Sequence, residues 1–143
     1  MAGNEWRRWH GTSRLCNVGD DPENPALCVR SGCSLCSILR TSFQVSEVNP
    51  QGQVFRKFGK GIYTSHLSSK AFDYAVNGGS ASQYSMIMLN NVIVGRGYKL
   101  TQDSMGVTGP PSDYHSMLTD WSYQVVVYND DAIRPSWLVV YKN

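Results

Sequence analysis

The chain has 143 residues, 41% of them hydrophobic and 17% charged, with 13 Gly and 6 Pro. That size fits one domain spanning residues 1–143 with a core of its own, and the composition excludes a disordered or fibrous chain. The formal net charge of +2 does not indicate a strongly basic nucleic-acid surface, leaving room only for a local basic patch. No apolar run approaches the roughly 18 residues that a membrane-spanning helix needs.

Residues 1–9 carry no apolar core of the signal-peptide kind and read as a domain start. The expected compartment is intracellular, with nucleus and cytoplasm not distinguished. The mixed aromatic and arginine run at 6–10 reads as a first strand. Residues 17–25, rich in Asp, Asn, Gly and Pro, read as a loop. Leu35, Ile38 and Leu39 fall at helical spacing, which predicts a short helix over 32–41. A second loop follows at 49–59 and a short strand at 61–64. The run 68–76 reads as a helix with Ser68 or Ser69 as its N-cap, a hydroxyl there accepting from a free first-turn N–H.

The second half changes character. Residues 84–94 are dense in Met, Ile, Leu and Val and predict one or two strands, punctuated by Gly95 and Gly97. Residues 102–120, with Gly109, Pro110 and Pro111, read as a long loop. The run 123–128 is apolar apart from Gln124, as a buried strand would be. A turn at 129–135 and a final strand at 137–141 complete the chain. Strands outnumber helices, and the helices lie in the first half. This pattern predicts an α+β fold with a mostly antiparallel sheet.

All four cysteines, Cys16, Cys28, Cys33 and Cys36, lie within 21 positions. Cys33 and Cys36 have the C-x₂-C spacing of a zinc knuckle, the second at the start of a helix. Cys16 and Cys28 would complete a tetrahedral Cys₄ site. Such a site is structural, because four thiolates leave no open position for a substrate. It would pin the loop at 17–25 beside His10. Two disulfides or four unlinked thiols remain the alternatives.

Four segments in order resemble the catalytic domain of poly(ADP-ribose) polymerases and their mono-transferase relatives. They are Trp9-His10-Gly11-Thr12, Phe58-Gly59-Lys60-Gly61-Ile62-Tyr63, Ser68-Ser69-Lys70-Ala71-Phe72-Asp73-Tyr74 and Gln124-Val125-Val126-Val127-Tyr128. The stretch Ala132-Ile133-Arg134-Pro135-Ser136-Trp137-Leu138-Val139 trails them. The look is of short fungal members, and these 143 residues do not include the large helical regulatory domain of the DNA-damage-activated members. The resemblance implies an ADP-ribosyltransferase fold: a split antiparallel β core with flanking short helices and NAD⁺ in a cleft between two small sheets.

It also implies roles. His10 matches the histidine that bonds a ribose hydroxyl of NAD⁺. Gly11 matches the glycine whose backbone pairs with the nicotinamide carboxamide, and Thr12 falls near the adenine-side ribose. Tyr63 and Tyr74 match the two tyrosines that sandwich the nicotinamide, where a cationic ring gains roughly 0.5–2 kcal/mol over an aromatic face. Gln124 stands at the third catalytic position, usually glutamate in chain-forming members. Glutamine keeps one acceptor oxygen but has no charge and cannot act as a base. Either it is an engineered replacement or it is native to a weak mono-transferase or a non-catalytic binder. Ala71 replaces a serine of most relatives, which removes one carboxamide hydrogen bond. Ser69, two residues earlier, counts among the expected NAD⁺-binding residues.

The expected activity is cleavage of the nicotinamide–ribose bond of NAD⁺ and transfer of ADP-ribose to a protein acceptor or, second, a nucleic-acid end. Water as acceptor would give an NAD⁺ glycohydrolase, and loss of turnover an NAD⁺- or ADP-ribose-binding module. The protein is expected to act as a monomer. His66 and His115 are rim candidates, and the early arginines Arg7, Arg8, Arg14, Arg30 and Arg40 are either a solvated face or a phosphate-binding group.

Overall fold

The computed structural model describes residues 3–45, 58–78, 81–101, 106–119 and 124–143. These form nine strands: β1 (Glu5–His10), β2 (Ser13–Arg14), β3 (Ile62–Ser65), β4 (Val76–Asn77), β5 (Tyr84–Ile93), β6 (Gly97–Leu100), β7 (Ser116–Thr119), β8 (Gln124–Val127) and β9 (Ile133–Lys142). Two α-helices join them, α1 (Ser34–Thr41) and α2 (Ser68–Tyr74), with a 3₁₀ turn at Asp130–Ala132. The α+β expectation holds.

Seven strands make one sheet in the order β6-β7-β8-β3-β1-β5-β9, and β2 and β4 form a separate pair. Most neighbours are antiparallel, but β6–β7 and β2–β4 are parallel. The ladders are uneven. β5 pairs with β9 along nearly its whole length, and β1 with β5 over six residue pairs from Glu5↔Ile93 to His10↔Met88. β1 and β3, in the middle of the sheet, meet only at Trp9↔Ser65.

The continuous apolar run of β8 has a direct cause. Val125 and Val127 face one core with Met88, Val92, Val94, Ile62, Leu35 and Phe43, under α1. Val126 faces a second core with Phe58, Leu100 and Met117. A strand buried on both faces cannot alternate apolar with polar residues.

Several expected boundaries move. The helix expected at 32–41 begins at Ser34, and that expected at 68–76 ends at Tyr74, with β4 beginning at Val76. Neither Ser68 nor Ser69 caps α2: the N-cap is Leu67, without a side-chain cap, and the Ser65 hydroxyl accepts the Leu67 N–H at 3.0 Å. The stretch read as one loop at 102–120 contains β7, which packs Ser116 and Met117 inside. β9 starts at Ile133, four residues before the expected strand, and carries a bulge across from Leu89 and Asn90. The bulge falls beside Pro135, which has no N–H to give a ladder and is tolerated on this edge strand. The loop expected at 49–59 lies mostly outside the described residues.

Candidate functional site

A cavity of about 710 Å³ opens where β1, β3, β8 and the two helices converge. Its lining collects residues that are far apart in sequence: His10, Gly11 and Thr12 after β1, Tyr63 on β3, Ala71 and Tyr74 on α2, and Gln124 at the start of β8. Ser69 is exposed and does not line it.

Gly11 is where α2 presses on the chain. A Cβ at this position would lie 1.9 Å from the Ala71 carbonyl oxygen and 3.1 Å from the Ala75 nitrogen. Only a residue without a side chain allows the end of β1 and the helix backbone to approach this closely. The same approach brings Ala71, itself 3% exposed, to the cavity wall. Tyr74 closes α2 and is 57% exposed, so its ring is available to a ligand.

His10 is oriented by two contacts. Its Nδ1 lies 2.8 Å from the Tyr63 carbonyl oxygen, and its ring meets Phe43 edge-on at 5.1 Å between centroids. A carbonyl can only accept, so this contact assigns the proton to Nδ1 and makes Nε2 the acceptor nitrogen of the neutral ring. The bond also ties β1 to β3 beyond their single rung.

Tyr63 is fixed at its hydroxyl, which donates to the Gly59 carbonyl at 2.7 Å and accepts the Phe58 N–H at 3.1 Å. Its ring stacks on Phe58 at 6.3 Å and 23°. Gly59 has φ +85°, and a Cβ there would lie 2.0 Å from the Thr108 carbonyl oxygen. The Phe58–Tyr63 phrase thus folds back on itself to hold the tyrosine. Tyr128 supports it, donating to the Phe58 carbonyl, and burial together with the nearby Tyr63 pushes its phenol well above the ordinary range. Gln124 pairs with Ser65 across β3 and with Thr119 across β7. It also borders a second cavity of about 590 Å³, lined by Trp6, Arg8, His66 and Lys99.

The opposite wall of the main cavity is polar and cationic. Arg30, Ser31, Gly32, Cys33, Ser34, Ser37 and Arg40 line it. Two of the early arginines therefore do face the cavity. Arg14 does not belong to a surface patch: it is 2% exposed and bonds Asn77, Val18, Asp20 and Tyr84. Arg8 lies over the Trp6 ring at 4.6 Å, and burial lowers its pKa. His66 is exposed at the second cavity. His115 serves a turn, its Nδ1 accepting the Arg96 N–H at 2.9 Å.

Behind the cationic wall the four cysteines converge. Their sulfurs all lie within 4.8 Å of one another, and none is in a disulfide. Cys16 Sγ is 3.5 Å from Cys36 Sγ and 3.9 Å from Cys33 Sγ. Four thiolates around a tetrahedral zinc at about 2.3 Å would stand about 3.8 Å apart, so the donor set fits a metal of that kind. Backbone N–H groups supply an outer shell: Leu15 to Cys33 at 3.3 Å, Val18 to Cys16 and Arg30 to Cys28. The bond from Arg30 draws the Cys28 thiol down to about 7, while burial pushes Cys16 and Cys36 up. The spacing argument from sequence found this group, and Arg30 and Arg40 stood among the early arginines offered as a phosphate-binding group, whereas Ser31, Ser34 and Ser37 beside them were not singled out.

The model of the poly(ADP-ribose) polymerase catalytic domain family matches residues 32–125, a span that includes Tyr63, Tyr74 and Gln124 and begins after His10 and Gly11. No curated protein matches the chain.

Proposed function

Because the chain belongs to the poly(ADP-ribose) polymerase catalytic domain family, we propose that it binds NAD⁺ in the main cavity and transfers ADP-ribose from it to a protein acceptor, as a monomer. The observation that carries this reading is the convergence of Gly11, Tyr63, Tyr74, His10 and Gln124, drawn from separate elements, on one cavity. The near-break in the sheet between β1 and β3 supports a split core, with the ligand between the two halves.

In the reaction the bond between ribose C1′ and the nicotinamide nitrogen breaks, and nicotinamide leaves with the electron pair. A lone pair of the acceptor then attacks C1′, and the acceptor's proton passes to solvent. The transition state resembles an oxocarbenium ion, so positioning and electrostatics do most of the catalysis. Gly11 takes the carboxamide through its backbone, and Tyr63 and Tyr74 flank the ring. Thr12 lies toward the adenine-side ribose. His10, with its proton on Nδ1, offers Nε2 to a ribose hydroxyl. Gln124 can hold the 2′-hydroxyl but cannot take its proton. The cysteine group is a structural zinc site.

Gln124 also favours a second reading, a module that binds NAD⁺ or ADP-ribose without turnover. Nicotinamide release from NAD⁺, measured for the protein and for Gln124→Glu, separates the two. Release that rises by two or more orders of magnitude in the glutamate form supports the transferase. Binding without release in both forms supports the module, and release without an acceptor identifies a glycohydrolase. A protein that binds no NAD⁺ in either form overturns both.

A further inference from the structure

The cavity wall from Arg30 to Ser37 begins in irregular chain and ends in α1, whose Leu35 and Cys36 are buried in the core. Among the described residues, none between Arg14 and Ser34 lies in a helix or strand. The irregular part of the wall, residues 30–33, is gathered on the thiol group. Cys28 lies two residues before the wall and Cys33 and Cys36 lie within the wall, all three gathered on Cys16 beside β2. Further ties converge on the same place: Arg30 Nη1 donates to the Leu15 carbonyl at 2.6 Å, Ser13 Oγ to the Gly32 carbonyl at 3.4 Å and to Ser34 Oγ at 3.3 Å, and Arg40 donates to the Cys28 carbonyl. Cys33 takes part in both structures, its sulfur in the cluster and its residue on the cavity wall.

Thiols are weak hydrogen-bond partners, so four of them without an ion would hold this wall loosely. Four thiolates on one zinc would hold it as a rigid knot, releasing the thiol protons to solvent as the ion binds. We propose that the zinc is part of the substrate site: by fixing the Arg30–Ser37 wall it makes NAD⁺ binding and metal binding mutually dependent, each strengthening the other. The wall brings Arg30, Arg40, Ser31, Ser34 and Ser37 to the cavity lining, residue types suited to the charged and hydroxylated part of a dinucleotide. This inference rests on the NAD⁺ reading above. Coupling of this kind is reciprocal: a factor lost from NAD⁺ affinity on metal removal must reappear as metal retention when NAD⁺ is bound.

The decisive measurement is the equilibrium division of zinc between the zinc-loaded protein and a competing chromogenic chelator, with and without saturating NAD⁺. It starts from the folded holo-protein. The expected result is an apparent zinc affinity at least tenfold higher with NAD⁺. A second measurement replaces zinc by Co²⁺ and follows the thiolate-to-cobalt absorption bands, which are expected to shift on NAD⁺ addition. Equal zinc affinities with and without NAD⁺, in a protein that binds NAD⁺, overturn the coupling and leave the transferase reading standing. Protein that takes up less than half an equivalent of zinc overturns the metal site itself. Zinc-loaded protein that binds no NAD⁺ overturns both readings together.

Discussion

The site depends on single atoms at Gly11 and Ala71. Gly11→Ala would place a methyl 1.9 Å from a helix carbonyl oxygen. Overpacking against backbone is relieved only by shifting α2 or the end of β1, at a cost of about 1–3 kcal/mol. The expected outcome is a lower melting temperature together with at least a tenfold loss of NAD⁺ affinity, read by thermal denaturation and calorimetric titration. Ala71 lines the same wall and offers no hydroxyl. Ala71→Ser would add a hydrogen bond worth about 0.5–1.5 kcal/mol. Nicotinamide-mimicking inhibitors are therefore expected to bind roughly two- to tenfold more tightly to that variant, and unchanged affinity would remove position 71 from carboxamide recognition.

Among the elements, the short parallel pair β2–β4 is held less by its own two rungs than by Arg14. The guanidinium reaches Asn77 on β4, the Tyr84 carbonyl at the start of β5, and Val18 and Asp20 in the loop after β2. Arg14→Leu leaves those acceptors unmet and is expected to cost about 2–4 kcal/mol in urea denaturation. The pair also sets a pH dependence. Burial raises the Asp20 pKa, but the hydrogen bond with Ser82 and the bond and charge of Arg14 outweigh it, and the carboxyl ends below its ordinary value. A lowered folded pKa contributes stability that is complete above the unfolded value near 4 and is lost as the pH falls through the folded one. In acid titration the protein is expected to be more stable than Asp20→Asn by a constant amount above about pH 5, and the two curves are expected to converge below it as the wild type loses its advantage. Arg14 also shows why part of the structure was hidden in the sequence. It stood as one of several early arginines, and nothing local marks it as buried. β2 and β4 are two residues each, too short for any period to register, and β7 was masked by the prolines before it. By contrast β8 and the cysteine group were legible, because burial on two faces and ligand spacing each leave a local trace, whereas the tyrosine-bearing phrases were read only through the family resemblance.

For the whole molecule, the central feature is the single rung at Trp9↔Ser65. A sheet of seven strands is normally rigid because every neighbour shares a row of hydrogen bonds. Here the row is reduced to one step, supplemented by the His10 ring reaching the Tyr63 carbonyl. The main cavity sits over that seam, with His10 on one side and Tyr63 and Gln124 on the other. A molecule lodged there makes cross-links that the backbone does not provide. Amide hydrogen exchange along β1 and β3 is accordingly expected to slow on occupancy by more than it does along β5 and β9, whose ladder is already complete. The stiffness of the fold thus becomes a property of the filled protein rather than of the empty one, and heat resistance would report directly on how well a guest stitches the two sides together.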